Sequence, residues 1–382
     1  MPAMHMEITA VQSSKKTGDP CGDCVFIDRD EKWTTIALID GIGSGLRANL
    51  AATMAGNRLM ELLRRGFSLQ DAFGRLVETM NRSRDIQLSF AAFSVARIRL
   101  DGQATILSYE APSATLLQPP FGVLLDHDTF TVDRAILSEA TCQLALGQGL
   151  LLVSDGITQA GLGKHGSSGW GEAAMVHEVE NQLQTGAEID DLPEQIHNHA
   201  RQLWGASHGD DCSVIAVRAS RSVEVDILTG PPSDSELSGG MMTEFLDGPG
   251  VKVVCGGSTA QMVADHLCKP LTTEPNPQSM ITPPRYRVEG INLLTEGAIT
   301  LNHVHNILDV DVAEYQEDSG ATELASLLQV ATRVNLYAGL AVNPSTADIS
   351  YRQQGIAPRK SILPLLIDKL RAHGKLIVPK YY

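Results

Sequence analysis

Basic residues are in short supply. Thirty Lys and Arg face 45 Asp and Glu in 382 residues, a formal net charge of -15. Nucleic acids and anionic membranes reward basic surface, so neither is expected as the main partner. Cysteine is scarce too: six in so long a chain are too few for a disulfide scaffold, and free thiols are expected. No stretch approaches the ~20 apolar residues of a membrane helix. The opening Met1-Pro2-Ala3-Met4-His5-Met6-Glu7 lacks the charged and then apolar segments of a signal peptide, which points to the cytoplasm. No repeat relates the two halves of the chain. With 43% hydrophobic and 20% charged residues, the composition is that of a folded protein, long enough for two domains with separate cores.

Against these absences one stretch stands out. In Leu38-Ile39-Asp40-Gly41-Ile42-Gly43-Ser44-Gly45 an apolar strand runs into an aspartate, then three glycines, then a helix. Asp-Gly is also a common turn signal, so one instance decides nothing. Three further carboxylate-bearing points follow the same logic at strand ends: Gly22-Asp23 entering a strand, Ser154-Asp155-Gly156 leaving one, and Asp210-Asp211-Cys212-Ser213 before a last one. Carboxylates with glycine-freed backbone carbonyls suit a hard, oxygen-ligated cation. Cys21 and Cys24 frame Asp23 as a C-x-x-C; without a second pair in zinc spacing, the pair is weak evidence for a metal or redox site, and small buried strand residues are the plainer reading.

In chain order, strands are expected at 7–11, 23–28 and 33–40, the last two joined as a hairpin through Arg29-Asp30-Glu31-Lys32. Such a hairpin brings Asp23 and Asp40 to one rim. Helices are expected over 46–65 and 69–84, then strands at 89–100, 104–109, 114–117 and 150–153, a helical stretch over 168–204 broken at Gly186, and a strand over 213–217. Strands in meander order with helices early and late imply an α+β layered sandwich over 1–220. After a boundary near Ala219 to Ser222, residues 229–235 (Thr-Gly-Pro-Pro-Ser-Asp-Ser) have the composition of a flexible connector. From there to the end strands alternate with helices, including one over 363–373 with Pro364 in its first turn, so 221–382 is expected to be an α/β, three-layer domain. Its Gly256-Gly257-Ser258-Thr259, between a strand and a helix, is a candidate anion site through backbone amides. It is neither a Walker A loop nor a Gly-x-Gly-x-x-Gly fingerprint, and Ser and Thr cap helices generally.

Gly-Asp, Asp-Gly-x-Gly-Ser-Gly, Ser-Asp-Gly and Asp-Asp-x-Ser, in this order, resemble the metal-dependent serine/threonine protein phosphatases, the PP2C-like superfamily, and within it the bacterial SpoIIE-type branch. The resemblance covers roughly 1–220. It implies a β-sandwich flanked by helices, with two Mn²⁺ or Mg²⁺ ions sharing a bridging carboxylate and a bridging water. Matched by position, Asp40 is the bridging ligand with the Gly41 carbonyl beside it, and Asp23, Asp155 and Asp210 complete the set. Asp211 is a metal or neighbouring ligand. His208, two residues before Asp210, is the nearest candidate general acid; a solvated loop histidine is the plainer reading. His165 lies in a glycine-rich loop placed to gate substrate or simply to cover surface. Two departures stand out: Ser213 replaces the branch's usual threonine, and Tyr109-Glu110-Ala111-Pro112-Ser113 stands where an Asn-Ala-Gly-His-like stretch is common.

The implied activity is hydrolysis of phosphoserine or phosphothreonine on a regulatory protein, with 221–382 as a regulatory or recognition domain that binds a small ligand, docks the phosphoprotein, or forms a homodimer. Two other readings stay open: a non-catalytic, partner-binding regulator on the same fold, and a phosphatase of a small phosphorylated metabolite. No expected carboxylate is missing.

Overall fold

The computed structural model describes residues 4–43, 45–85, 89–163, 169–205, 209–274, 285–315, 319–341 and 355–382. The chain divides into two compact units, Met1–Arg221 and Ser222–Tyr382.

The first unit is built on two antiparallel sheets. One has the order β2-β3-β4-β5-β9-β8, from β2 (Asp23–Arg29), β3 (Trp33–Gly41), β4 (Ala91–Arg99), β5 (Gln103–Tyr109), β8 (Asp128–Val132) and β9 (Ala135–Gln143). The other has the order β1-β11-β10-β6-β7, from β1 (Met4–Ser13), β6 (Thr115–Gln118), β7 (Phe121–Leu124), β10 (Gly149–Val153) and β11 (Cys212–Arg221).

The central strands are apolar on both faces, and the packing explains why. Ile36 and Leu38 of β3 meet Leu150, Leu152, Ile215 and Val217 of the opposite sheet. Ala37 and Ile39 turn outward against α1 (Leu46–Arg64) and α2 (Leu69–Asp85). Leu151, Val153, Val214 and Ala216 face α4 (Glu172–Gln184) and α5 (Leu192–Trp204). The result is helix, sheet, sheet, helix. A strand covered on both sides needs a continuous apolar run, which is what residues 34–39 present. β8 and β9 fall in a region where no strand is expected from sequence; the exposed Thr129, Thr131 and Ile136 weaken their apolar alternation.

The second unit has the sheet order β14-β15-β16-β13-β12-β17-β18. Its parallel core is β12 (Glu224–Thr229), β13 (Val251–Cys255), β16 (Leu293–Thr295), β17 (Arg333–Ala338) and β18 (Leu376–Tyr381). The short β14 (Thr272–Glu274) and β15 (Arg285–Arg287) extend it antiparallel. One face carries α6 (Leu237–Asp247) and α7 (Gly257–Leu267); the other carries α8 (Ala298–Ile307), α9 (Gly320–Val330) and α10 (Arg359–Ala372). The chain starts in the middle at β12, steps out through β13 to β16, then returns to the other side for β17 and β18, so the order switches between β12 and β17.

Residues 229–235 end β12 and lead into α6, so the connector they form lies inside the second unit. One sequence expectation is corrected here. The last helix starts at Arg359, which puts Pro364 in its interior. Asp226, fully buried at the start of β12, accepts bonds from Lys252, Asn335 and the Gly250 amide, which satisfies its charge within the fold.

Candidate active site

The β2–β3 hairpin sets Asp23 directly opposite Asp40, on the same face of the sheet. Like charges so placed repel, and a fold keeps such a pair only if something else holds it. The second sheet adds its own carboxylates at the same rim. Asp155 opens α3 (Asp155–Thr158) just beyond β10, and Asp210 and Asp211 immediately precede β11. Ser154 and Ser213 lock the two strand ends together: the Ser213 amide donates to Ser154 Oγ at 2.9 Å and the Ser154 amide to the Ser213 carbonyl at 3.0 Å.

Glycines allow this closeness. A Cβ on Gly41 would lie 2.0 Å from the Ala48 carbonyl oxygen of α1, one on Gly22 would lie 2.7 Å from Asp211 Oδ2, and one on Gly156 would lie 2.0 Å from the Asp211 carbonyl oxygen.

Asp23 is 3% exposed, and its Oδ2 accepts from Ser213 Oγ at 2.6 Å. Its Oδ1 is buried with no partner. Burial, with the charges of Asp211 and Asp155, raises its pKa to about 6 despite the hydroxyl bonds from Ser213 and Ser154. Burial also dominates at Asp40, and with Asp23, Asp155 and Asp210 it pushes that carboxyl to about 9. Burial, with the charge of Asp210, raises the Asp155 pKa as well. Gln159 Nε2 donates to Asp155 Oδ2 at 2.8 Å. Asp211 is 5% exposed and accepts from the Lys15 amide at 2.7 Å; the Lys15 ammonium lies 3.4 Å from Asp210.

The structure thus draws Asp23, Asp40, Gly41, Asp155, Asp210 and Asp211 to one edge of the sandwich. Ser44, His165 and His208 lie outside the described residues. Lys15 and Gln159 are parts of the cluster that sequence reading passed over. Lys15 sits in a polar turn, and nothing local ties it to residues almost two hundred positions away. His197, buried on α5, bonds Ser13 Oγ at 2.8 Å, and burial lowers its pKa.

The donors suit a hard divalent cation. They are oxygens, one of them buried and orphaned, and burial together with neighbouring carboxylate charge raises the Asp23 and Asp40 pKa values, a cost that a cation would offset. Among the described residues no group of three or more His, Cys, Asp or Glu side chains is arranged so as to hold a metal ion. The cysteines turn elsewhere: Cys21 Sγ faces the Ser13 carbonyl, Cys24 Sγ faces Thr53 and the Asn49 carbonyl, and all six in the chain are free. Burial raises the Cys21 and Cys212 thiols, which keeps them protonated.

Residues 30–220, half of the chain, match the model of the Stage II sporulation protein E (SpoIIE) family. The chain belongs to that family. Among solved structures, the PP2C phosphatase domain with a regulatory-domain fragment of SpoIIE from Bacillus subtilis superposes with a TM-score of 0.50 at 16% identity, over 58% of this chain and 64% of that one. The fold of the first unit is therefore the PP2C-type sandwich of this family, and the chain spans less than two thirds of that relative. A second form of the B. subtilis phosphatase domain matches at 17% identity and TM-score 0.44, over 58% of this chain and 95% of that one. RsbX in complex with magnesium matches at 17% identity and TM-score 0.41, over 58% and 100%. No curated protein matches the chain. No helix among the described residues is long and apolar enough to cross a membrane.

Proposed function

We propose that this SpoIIE-family chain is a Mn²⁺- or Mg²⁺-dependent phosphatase acting on phosphoserine or phosphothreonine of a partner protein, with 1–220 as the catalytic domain and 221–382 as a regulatory or recognition domain. The observation that carries the reading is the convergence of carboxylates from two sheets on one rim, three of them with raised pKa values and one with an orphaned buried oxygen. Asp40, the Gly41 carbonyl, Asp23, Asp155 and Asp210 would hold two cations, with Asp211 as a further ligand. When bound, the cations would activate water and offset phosphoryl charge.

The chain's residues have separate tasks. Ser213 and Ser154 keep Asp23 poised as an acceptor. Gln159 fixes one Asp155 oxygen. Lys15 places a positive charge beside Asp210, where a phosphoryl oxygen would arrive. In hydrolysis a water oxygen bonds to phosphorus, the bond from phosphorus to the seryl oxygen breaks, and that oxygen takes up a proton. His208 is the proposed donor.

The test is hydrolysis of an aryl phosphate and of a phosphoserine peptide with Mn²⁺, with Mg²⁺ and with chelator, beside Asp40→Asn and Asp155→Asn. Metal-dependent turnover lost in both variants is expected. Folded protein that turns over neither substrate with either metal would overturn the reading in favour of a binding regulator.

A further inference from the structure

At the start of α7, the Thr259 hydroxyl of the Gly256 to Thr259 motif is already engaged, accepting from the Gly230 amide at 2.8 Å. The end of β1, by contrast, makes contacts that reach the carboxylate cluster itself. β1 is the edge strand of its sheet, and its register sets Gln12 directly opposite Ser213 of β11. Opposed residues of an antiparallel pair share a face, which brings the Gln12 side chain to the Ser213 hydroxyl. Gln12 Nε2 donates to Ser213 Oγ at 2.9 Å, and the same nitrogen lies 3.4 Å from the Asp23 carbonyl oxygen. A carbonyl only accepts, so the nitrogen end of the amide faces inward.

That orientation fixes a proton. A serine hydroxyl has one proton to give. With Gln12 donating to it, the buried Ser213 hydroxyl gives that proton to Asp23 Oδ2 at 2.6 Å. Oδ2 is thereby engaged, and Oδ1, buried and without a partner, is the oxygen left for a cation. Serine also lacks the second Cβ substituent that stiffens threonine, so its rotamer has to be held from outside. The strand end that does the holding is itself anchored. His197 Nε2 bonds the Ser13 hydroxyl at 2.8 Å, and the Lys15 amide donates to Asp211 at 2.7 Å.

We propose that Gln12 is a positioning residue for Asp23, acting through Ser213. It commits the Ser213 proton to Oδ2 and so presents Oδ1 as the one metal donor of Asp23. The cation in this proposal rests on the phosphatase reading; the order of the hydrogen bonds stands without it. Gln12 is exposed, so replacing it leaves the core intact and its effect is read at the cluster.

The test titrates the full chain with Mn²⁺ calorimetrically, as wild type, Gln12→Met, Gln12→Glu, Ser213→Ala, and Gln12→Met combined with Ser213→Ala. Methionine keeps the length but cannot donate, and about three- to tenfold weaker binding is expected. Gln12→Glu adds a negative charge, which through space alone would tighten cation binding. A carboxylate only accepts, however, so it competes with Asp23 for the Ser213 proton, and binding weaker than in Gln12→Met is expected. In the Ser213→Ala background Gln12→Met should change nothing further, because the residue through which it acts is gone.

Crystal structures of wild type and Gln12→Glu, grown in chelator above neutral pH, give a readout that needs no cation. The contact from Ser213 Oγ to Asp23 Oδ2 should stay near 2.6 Å in wild type and open beyond hydrogen-bonding distance in the variant. Wild-type affinity in Gln12→Met, tighter binding in Gln12→Glu, an equal loss in both backgrounds, or an unchanged contact in the variant crystal would overturn the proposal. A wild type that binds no Mn²⁺ would overturn the metal role of Gln12 together with the phosphatase reading, while an opened contact in the variant crystal would still uphold the proton order.

Discussion

At the residue scale the cluster is defined by charges that the fold forces together. Burial, and then its carboxylate neighbours, raise Asp40 to about 9, far above the ordinary ~3.9. The folded state therefore holds a proton that the unfolded chain releases. The Asp40 contribution to stability is whole below the ordinary carboxylate pKa and is lost as pH rises through about 9. In chelator, the melting temperature of wild type is expected to fall relative to Asp40→Asn as pH is raised across that window. Saturating Mn²⁺ should reverse the difference, because only wild type keeps the ligand. A flat difference would count against the repulsion. Ser213 acts in the opposite sense through its bond to Asp23. Ser213→Ala should raise the Asp23 pKa further and move the pH at which Mn²⁺ binding half-develops upward, with roughly 1 to 3 kcal/mol lost from binding at neutral pH. Calorimetric titration at several pH values checks this.

Among the elements that carry no cluster carboxylate, α1 packs directly against the cluster's backbone. Its Ala48 carbonyl presses on Gly41, and Asn49 Nδ2 donates to the Cys21 carbonyl at 2.8 Å, two residues before Asp23. The buried side of its first half is small, with Ala48, Ala52, Ala55 and Gly56; a Cβ on Gly56 would stand 2.0 Å from the Phe26 ring. Helix position and ligand position are therefore coupled through close backbone contact. Asn49→Ala should cost only about 1 kcal/mol of stability, yet lower Mn²⁺ affinity several-fold. Equal affinity in the variant, measured beside its denaturation midpoint, would separate the helix from the site. The pattern of residues 46–64 shows the helix itself, but the contact at Gly41 depends on α1 reaching the turn after β3 in three dimensions.

For the whole molecule, each unit carries cores of its own: the sandwich interior and its two helical layers in the first, the two faces of a parallel sheet in the second. Calorimetric melting is expected to show two transitions, with Mn²⁺ raising only the one that Asp40→Asn makes insensitive to metal. A single transition shifted as a block would show that the units unfold together. The formal charge of -15 adds a diffuse attraction for cations, so metal affinity should weaken as monovalent salt rises.

The apolar runs at 34–39, 150–153 and 213–217, the Asp-Gly ends beside them and the alternation of strands and helices after residue 221 are local patterns. They determined the α+β sandwich, the α/β second unit and the carboxylates worth watching, because period and turn chemistry act within a few residues. Tertiary structure alone decided the cross-strand pairing of Asp23 with Asp40, the serine lock between β10 and β11, and the approach of Lys15 to Asp210. It also decided that Arg359 lies over Gly230. Each of these joins positions far apart in the chain, and burial, which sets their charge and their need for a partner, exists only once the layers have closed.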